Sequence, residues 1–151
     1  MIELYKKGKK KDEILGYIDG KKYLRSGRKK KLWGYLEGNV AKHKGGYPLL
    51  ILRDDGVITL NEDWNYEEQG YLKNNEIRYI DTDDLIFSFH KEKGEIHNHI
   101  NDKIIYLRGD GIETLDEIDF FGISSIILEL FAGAPEGGDD ESIIDLIFDD
   151  D

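Results

Sequence analysis

The segment LWGYLEG, residues 32–38, decides the fold, because the chain repeats it: ILGYIDG stands at 14–20 and GYLKN at 70–74. The glycine of each Gly-Tyr pair falls at 16, 34 and 70, a spacing of 18 residues and then of twice 18. The skipped copy is due at position 52, where LRDDG ends in Gly56. Four turn positions follow, Gly20, Gly38, Gly56 and Asn74, all residues that accept positive φ. Apolar pairs precede the copies (Ile14–Leu15, Leu32–Trp33, Leu50–Ile51), and Tyr5 and Tyr23, like Gly27 and Gly45, keep the same period.

A unit of 18 residues is too short for a pair of helices but fits a β-hairpin with its connection. Asp19–Gly20 and Asp55–Gly56 are hairpin turn signals. Ile14–Ile18, Leu32–Leu36 and Pro48–Leu52 read as strands joined by basic loops, with Pro48 at a strand start or an edge. Beyond residue 80 the spacing fades while hairpin signals continue. Asp84–His90 and Glu95–His99 flank a turn at Lys91–Gly94, and Lys103–Arg108 and Ile112–Leu115 flank Gly109–Asp110–Gly111. Single hairpins cannot bury both faces, so the copies are expected to curl around a common axis. The expected fold is mainly β, an antiparallel assembly of repeated hairpins, followed by one helix and an acidic tail.

The Gly-Tyr-aliphatic units at 14–20, 32–38 and 70–74, with the basic spacer LYKKGKKK at 4–11, resemble the bacterial four-fold β-flower family over roughly the first 80 residues. That resemblance implies short β-units around a pseudo-four-fold axis and brings no established chemistry. The third unit departs from its pattern, with Arg53 in the tyrosine column.

Thr114 with Glu117 three residues on reads as a capping box, and Leu115–Ala132 as a helix closed by Gly133 and Pro135. Its apolar residues populate every face, which predicts burial against the β-assembly or, alternatively, dimerisation through residues 115–132. Residues 1–133 thus form one β-repeat domain, and 134–151 a flexible acidic tail. From Glu136 onward the tail holds eight acids and no base, yet Ile143, Ile144, Ile147 and Phe148 give it an apolar cluster suited to docking on a partner.

The chain of 151 residues has a net charge of −11, unevenly spread. Residues 1–53 carry +10 and residues 54–151 carry −21. Lys9–Lys11 and Arg28–Lys31 cluster the bases, which suits an anionic ligand. The acidic tail is expected to compete for that basic surface. Absence of cysteine excludes disulfides, zinc–thiolate sites and thiol catalysis. No apolar run follows the bases of MIELYKKGKK, and none reaches membrane-spanning length, so a cytoplasmic protein without membrane contact is expected.

No glycine-flanked serine elbow, phosphate-binding loop or dinucleotide glycine pattern occurs, and catalysis is disfavoured. His97 and His99 share a strand face as two metal ligands would, but nothing completes a site, so neither metal nor cofactor is expected. Asp81, Asp83 and Glu92 match three calcium-loop positions but lack the obligatory glycine. The column Tyr17, Tyr35, Arg53, Tyr71 is expected to converge near the axis as a pocket for a planar anion, or else to stack along the sheet. The leading expectation is a non-catalytic adaptor contacting a protein through the helix or tail. The alternative is a nucleic-acid or nucleotide binder using Lys9–Lys11, Arg28–Lys31 (Arg28 and Lys30 foremost) and nearby Trp33.

Overall fold

A computed structural model of the chain describes residues 1–131. Twelve strands follow one another: β1 (Ile2–Lys6), β2 (Glu13–Asp19), β3 (Lys22–Arg25), β4 (Leu32–Glu37), β5 (Val40–His43), β6 (Pro48–Leu52), β7 (Val57–Leu60), β8 (Glu68–Lys73), β9 (Glu76–Tyr79), β10 (Leu85–His90), β11 (Glu95–Asn98) and β12 (Lys103–Gly109). Each pairs antiparallel with its neighbours in sequence, and β1 pairs with β12, so the sheet closes into a barrel. The curl read from the repeat is realised as six hairpins, the sixth assembled from the two ends of the sheet. Closure leaves no free edge.

The turn residues behave as their chemistry requires. Gly20, Gly38, Gly56 and Asn74 have φ of 65°, 60°, 90° and 52°, and Gly94 continues the series at 65°. All five lie in the tight turns of one rim; the longer loops lie on the other. A register shift recurs across the long-loop pairs, where the partner strand skips Leu15, Trp33, Leu49 and Gln69. Each extra residue bends its strand, and one bend per unit closes the barrel.

A single helix, α1 (Glu117–Ile126), fills the lumen. Phe120 stacks on Phe89 of β10, Gly122 meets Tyr23 of β3, and Ile126 meets Gly34 of β4. Ile127 and Phe131 continue to Gly16 of β2 and Gly70 of β8. Contacts with strands all round the wall place α1 along the axis, with Phe120, Phe121 and Ile123 wholly buried. Each such side chain contributes about 1.5–3 kcal/mol relative to exposure. Of the helix residues considered for dimerisation, Phe120, Phe121, Ile123 and Ile126 are covered by the protein's own wall, while Ile118 is 39% exposed.

The glycines of the Gly-Tyr pairs make this possible. Gly16, Gly34 and Gly70 are buried and point inward. A Cβ on Gly34 would lie 2.5 Å from the Lys42 carbonyl oxygen and 3.0 Å from Ile126 Cδ1. On Gly70 it would lie 2.4 Å from the Arg78 carbonyl oxygen and 2.8 Å from Phe131 Cζ. The repeat is thus a device for close approach, both of neighbouring strands and of the helix.

Three expectations are corrected. Thr114 belongs to a 3-10 turn at Ile112–Thr114, where its hydroxyl donates to the Gly111 carbonyl at 2.7 Å, so Ile112–Leu115 is not a strand. The capping box is instead formed by Asp116 and Asp119, and α1 begins at Glu117 and ends at Ile126. Lys21 in the β2–β3 turn donates to Asp119 at 2.6 Å, pinning the helix start to the short-turn rim. That bond raises the Lys21 pKa, and the backbone N–H of Asp119 bonding to Asp116 lowers that carboxyl's. The ends expected at Ala132, Gly133 and Pro135 lie outside the described residues. The third correction concerns the tyrosine column.

Candidate functional site: the long-loop rim

Alternation along each strand places Gly16 and Ile18, like Gly34 and Leu36, inside, and therefore Tyr17 and Tyr35 outside. The axis belongs to α1, so the column Tyr17, Tyr35, Arg53, Tyr71 does not converge there. Tyr17, Tyr35 and Tyr71 stand on the outer face of β2, β4 and β8, and Arg53 follows β6 in the β6–β7 turn. Lys30 Nζ lies 4.9 Å from the Tyr17 ring centroid. The Tyr71 hydroxyl bonds to Asp83, which raises the tyrosine pKa. Arg53 donates to Asp55 at 2.6 Å and to Glu68 at 2.8 Å. Arg53, the departure from the tyrosine column, thus pairs with Glu68 on the surface.

Trp33 is likewise covered, by the Arg25 guanidinium at 4.7 Å. Lys7 over Tyr106 and Arg108 over Tyr5 extend the same arrangement, a cation laid on an outward aromatic. Charge pairs such as Glu3–Arg108 and Glu76–Arg78 also stand on the outer wall, while the lumen is apolar. A membrane-spanning barrel has the opposite distribution. No described helix is long and apolar enough to cross a membrane.

One wall cluster was read only in part from the sequence, through His97 and His99. Ser88 Oγ lies 3.0 Å from His90 Nε2 and 2.8 Å from His99 Nε2. His97 packs on His90 with centroids 4.2 Å apart and bonds Glu95 at 2.8 Å. One hydroxyl has one proton to donate, so one of the two imidazoles bonded to Ser88 accepts and the other donates. The signal was the alternation Ser88–Phe89–His90 facing His97–Asn98–His99 across a tight turn. Among the described residues no group of three or more His, Asp or Glu is placed to hold a metal ion. Burial, then the neighbouring His97 and His90, lowers the His99 pKa from 6.5.

Net charge collects on the long-loop rim. Its six loops run around the barrel in sequence order. Residues 7–12, 26–31 and 44–47 carry net charges of +3, +4 and +1; residues 61–67, 80–84 and 99–102 carry −3, −3 and −1. The rim is therefore a basic arc beside an acidic arc. Arg28 and Lys30, read as ligand candidates, sit in the basic arc, and Arg28, Lys29 and Lys9–Lys11 are exposed.

The acidic arc carries aromatics. Trp64 is 56% exposed, Tyr66 55% and Tyr47, in the adjoining loop, 48%. Their loop is rigidly built: Asn61 donates to the Pro48 carbonyl at 2.7 Å and accepts from Asp63 N, and Tyr47 donates to Asp63 at 2.9 Å. Asn65 and Tyr66 both have positive φ, 53° and 52°, a backbone conformation that costs energy in non-glycine residues. Two large rings are thus held out at some backbone cost. The tail candidates Ile143, Ile144, Ile147 and Phe148 lie outside the described residues.

The chain matches no protein-family model, no curated protein and no solved structure.

Proposed function

We propose that the protein is a non-catalytic cytoplasmic binding module that contacts a partner protein through its long-loop rim. The observation that carries this reading is the rim itself: opposed charge arcs and half-exposed Tyr47, Trp64 and Tyr66, on a barrel whose lumen is already filled. Exposed aromatics on a rigid loop, beside charges, are the usual anchors of a protein interface. The β-flower resemblance, if it reflects kinship, accounts for the hairpin units and adds no chemistry to this reading.

A nucleic-acid or nucleotide ligand is the second reading, favoured by the basic arc. Two facts weigh against it. Tyr17 and Trp33, beside the basic arc, already carry cations on their rings, Tyr47 in loop 44–47 is tied to Asp63, and the open rings of Trp64 and Tyr66 lie among acids. Bases seeking stacking platforms would meet repelled phosphates there.

The test is affinity capture from the native host, with and without nuclease, comparing wild type with Trp64→Ala/Tyr66→Ala and with the wall variant Tyr35→Ala. A protein recovered by wild type and by the wall variant, but lost with the rim variant, supports the reading. Retention by the rim variant, or loss on nuclease treatment, sinks it.

A further inference from the structure

We propose that loop 61–67 receives an arginine-bearing segment of the partner, laid on the Trp64 and Tyr66 rings with its cations among the acids of loops 61–67 and 80–84. The assignment rests on reading the rim as the contact surface and adds the chemical class of what it contacts.

Trp64 and Tyr66 stand on one loop with 56% and 55% of their surface exposed. Among the described residues neither ring stacks on another or carries a cation. The aromatics of the wall differ, since Tyr5, Tyr17, Trp33 and Tyr106 each hold a lysine or arginine of the chain itself. The two rim rings turn to solvent the kind of face that elsewhere in this protein is covered by a cation.

Arg108 shows what such a face selects. Its guanidinium lies 4.1 Å from the Tyr5 ring centroid while it donates to Glu3 and Asp12. A ring beneath and carboxylates at the edge suit a planar, weakly hydrated cation, and suit a neutral or anionic side chain poorly. Loop 61–67 supplies the same groups with no cation in place. Glu62 and Glu67 flank the rings and, like Asp81 and Asp84 of the neighbouring loop, are exposed and make no ion pair among the described residues. Neither loop contains a base.

The rings lie on an open rim, so a small ammonium ion would keep most of its water there and gain little. A chain segment gains more, because it engages two loops at once. Neighbouring long loops are two strands apart, roughly 10–13 Å along the rim. An extended chain crosses that distance in about three to four residues. Arginines at this interval reach the rings of loop 61–67 and the carboxylates of loop 80–84 together. The receiving loop is already held by Asn61 on the Pro48 carbonyl and by Tyr47 on Asp63, so docking has little of the protein left to order.

The probe is a synthetic Gly-Ser peptide with arginine at every third position, titrated at low salt into the isotope-labelled full chain. Its control carries citrulline, which keeps the planar side chain and removes the charge. Amide shifts at Glu62–Glu67 and Asp81–Asp84 are expected, with calorimetric affinity at least about tenfold weaker for the citrulline peptide. Trp64→Ala and Tyr66→Ala should each weaken the arginine peptide about two- to fivefold. Trp64→Phe and Tyr66→Phe should retain most of the affinity, and Tyr35→Ala all of it. Absence of binding, equal affinity for citrulline, or ring variants without effect overturns the proposal. So do shifts spread over acids elsewhere in the chain. Shifts at the same loops on concentrating the protein alone would assign the arc to a second copy and overturn it as well. If the native partner is captured through the rim while the arginine peptide fails to bind, the contact surface stands and only this assignment falls.

Discussion

Replacing Gly34 by alanine isolates what the repeat does. Gly34 lies in β4 with ordinary negative φ, so alanine is conformationally allowed there. On backbone entropy alone the change stabilises by about 0.4–1 kcal/mol. The structure sets packing against that gain. The new Cβ meets the Lys42 carbonyl oxygen at 2.5 Å and Ile126 Cδ1 and Cγ2 at 3.0 and 3.2 Å. The side-chain contacts can yield, but the carbonyl belongs to the adjacent strand, which must move by most of an ångström. Overpacking of this kind costs about 1–3 kcal/mol. A net loss of about 1–2 kcal/mol follows, a fall in melting temperature of roughly 2–8 °C for a chain this size. Thermal and urea unfolding read it directly. Ile126→Val, which removes the nearer methyl, should cost about 0.5–1.5 kcal/mol alone, and the double variant should lose less than the sum by at least ~0.5 kcal/mol. An alanine variant more stable than wild type would refute the close-approach reasoning. Strict additivity of the pair would show that Ile126 does not sit over Gly34.

Three other measurements bear on the fold. Tyr23 is wholly buried against Gly122, its hydroxyl has no hydrogen-bond partner among the described residues, and burial pushes its pKa up; Tyr23→Phe should therefore leave stability unchanged or raise it, and a loss above ~1 kcal/mol would reveal an unseen partner. His99 binds its proton less well folded than unfolded, so its contribution is complete above pH 6.5 and is lost as pH falls below it; the urea midpoint between pH 8 and 5 should drop more steeply in wild type than in His99→Gln, and parallel profiles would discount the histidine cluster. Arg53 and Glu68 are each about half exposed, so a double-mutant cycle to alanine should give a coupling of no more than ~1 kcal/mol, and a larger value would mean that the pair organises more than its own surface.

Much of the fold could be read from the chain. The turn column was explicit, because only residues tolerant of positive φ occupy Gly20, Gly38, Gly56 and Asn74. The hairpin unit followed from its length. The face of the tyrosines was not legible, because strict alternation from Leu15 or Trp33 fails where a bulge adds one residue. The eye also rests on tyrosine in Gly-Tyr, while the constraint lies in the glycine, whose missing side chain leaves no mark except absence. The fate of α1 needed the circumference of the sheet. An apolar helix is equally suited to a groove, a partner or a lumen, and it is the closure of twelve strands into one ring that makes a lumen wide enough here. The histidine cluster was half visible in His97–Asn98–His99; Ser88 and His90 join it through a register that no local spacing announces.

The charged rim shows how a linear asymmetry becomes a spatial one. In a barrel whose strands pair only with their sequence neighbours, order along the chain is order around the ring. A basic first third and an acidic remainder therefore cannot mix on the long-loop rim; they must occupy separate arcs. A crossover topology would have interleaved the same loops and cancelled the field within a Debye length of about 10 Å at 0.1 M salt. The wall obeys a different rule: there Arg25 lies over Trp33 and Arg108 over Tyr5, and charges are neutralised pairwise in Glu76–Arg78 and Glu3–Arg108. The long loops are free of strand pairing and keep the net charge. Topology, rather than any motif, places opposite charges within reach of each other at one end of the molecule.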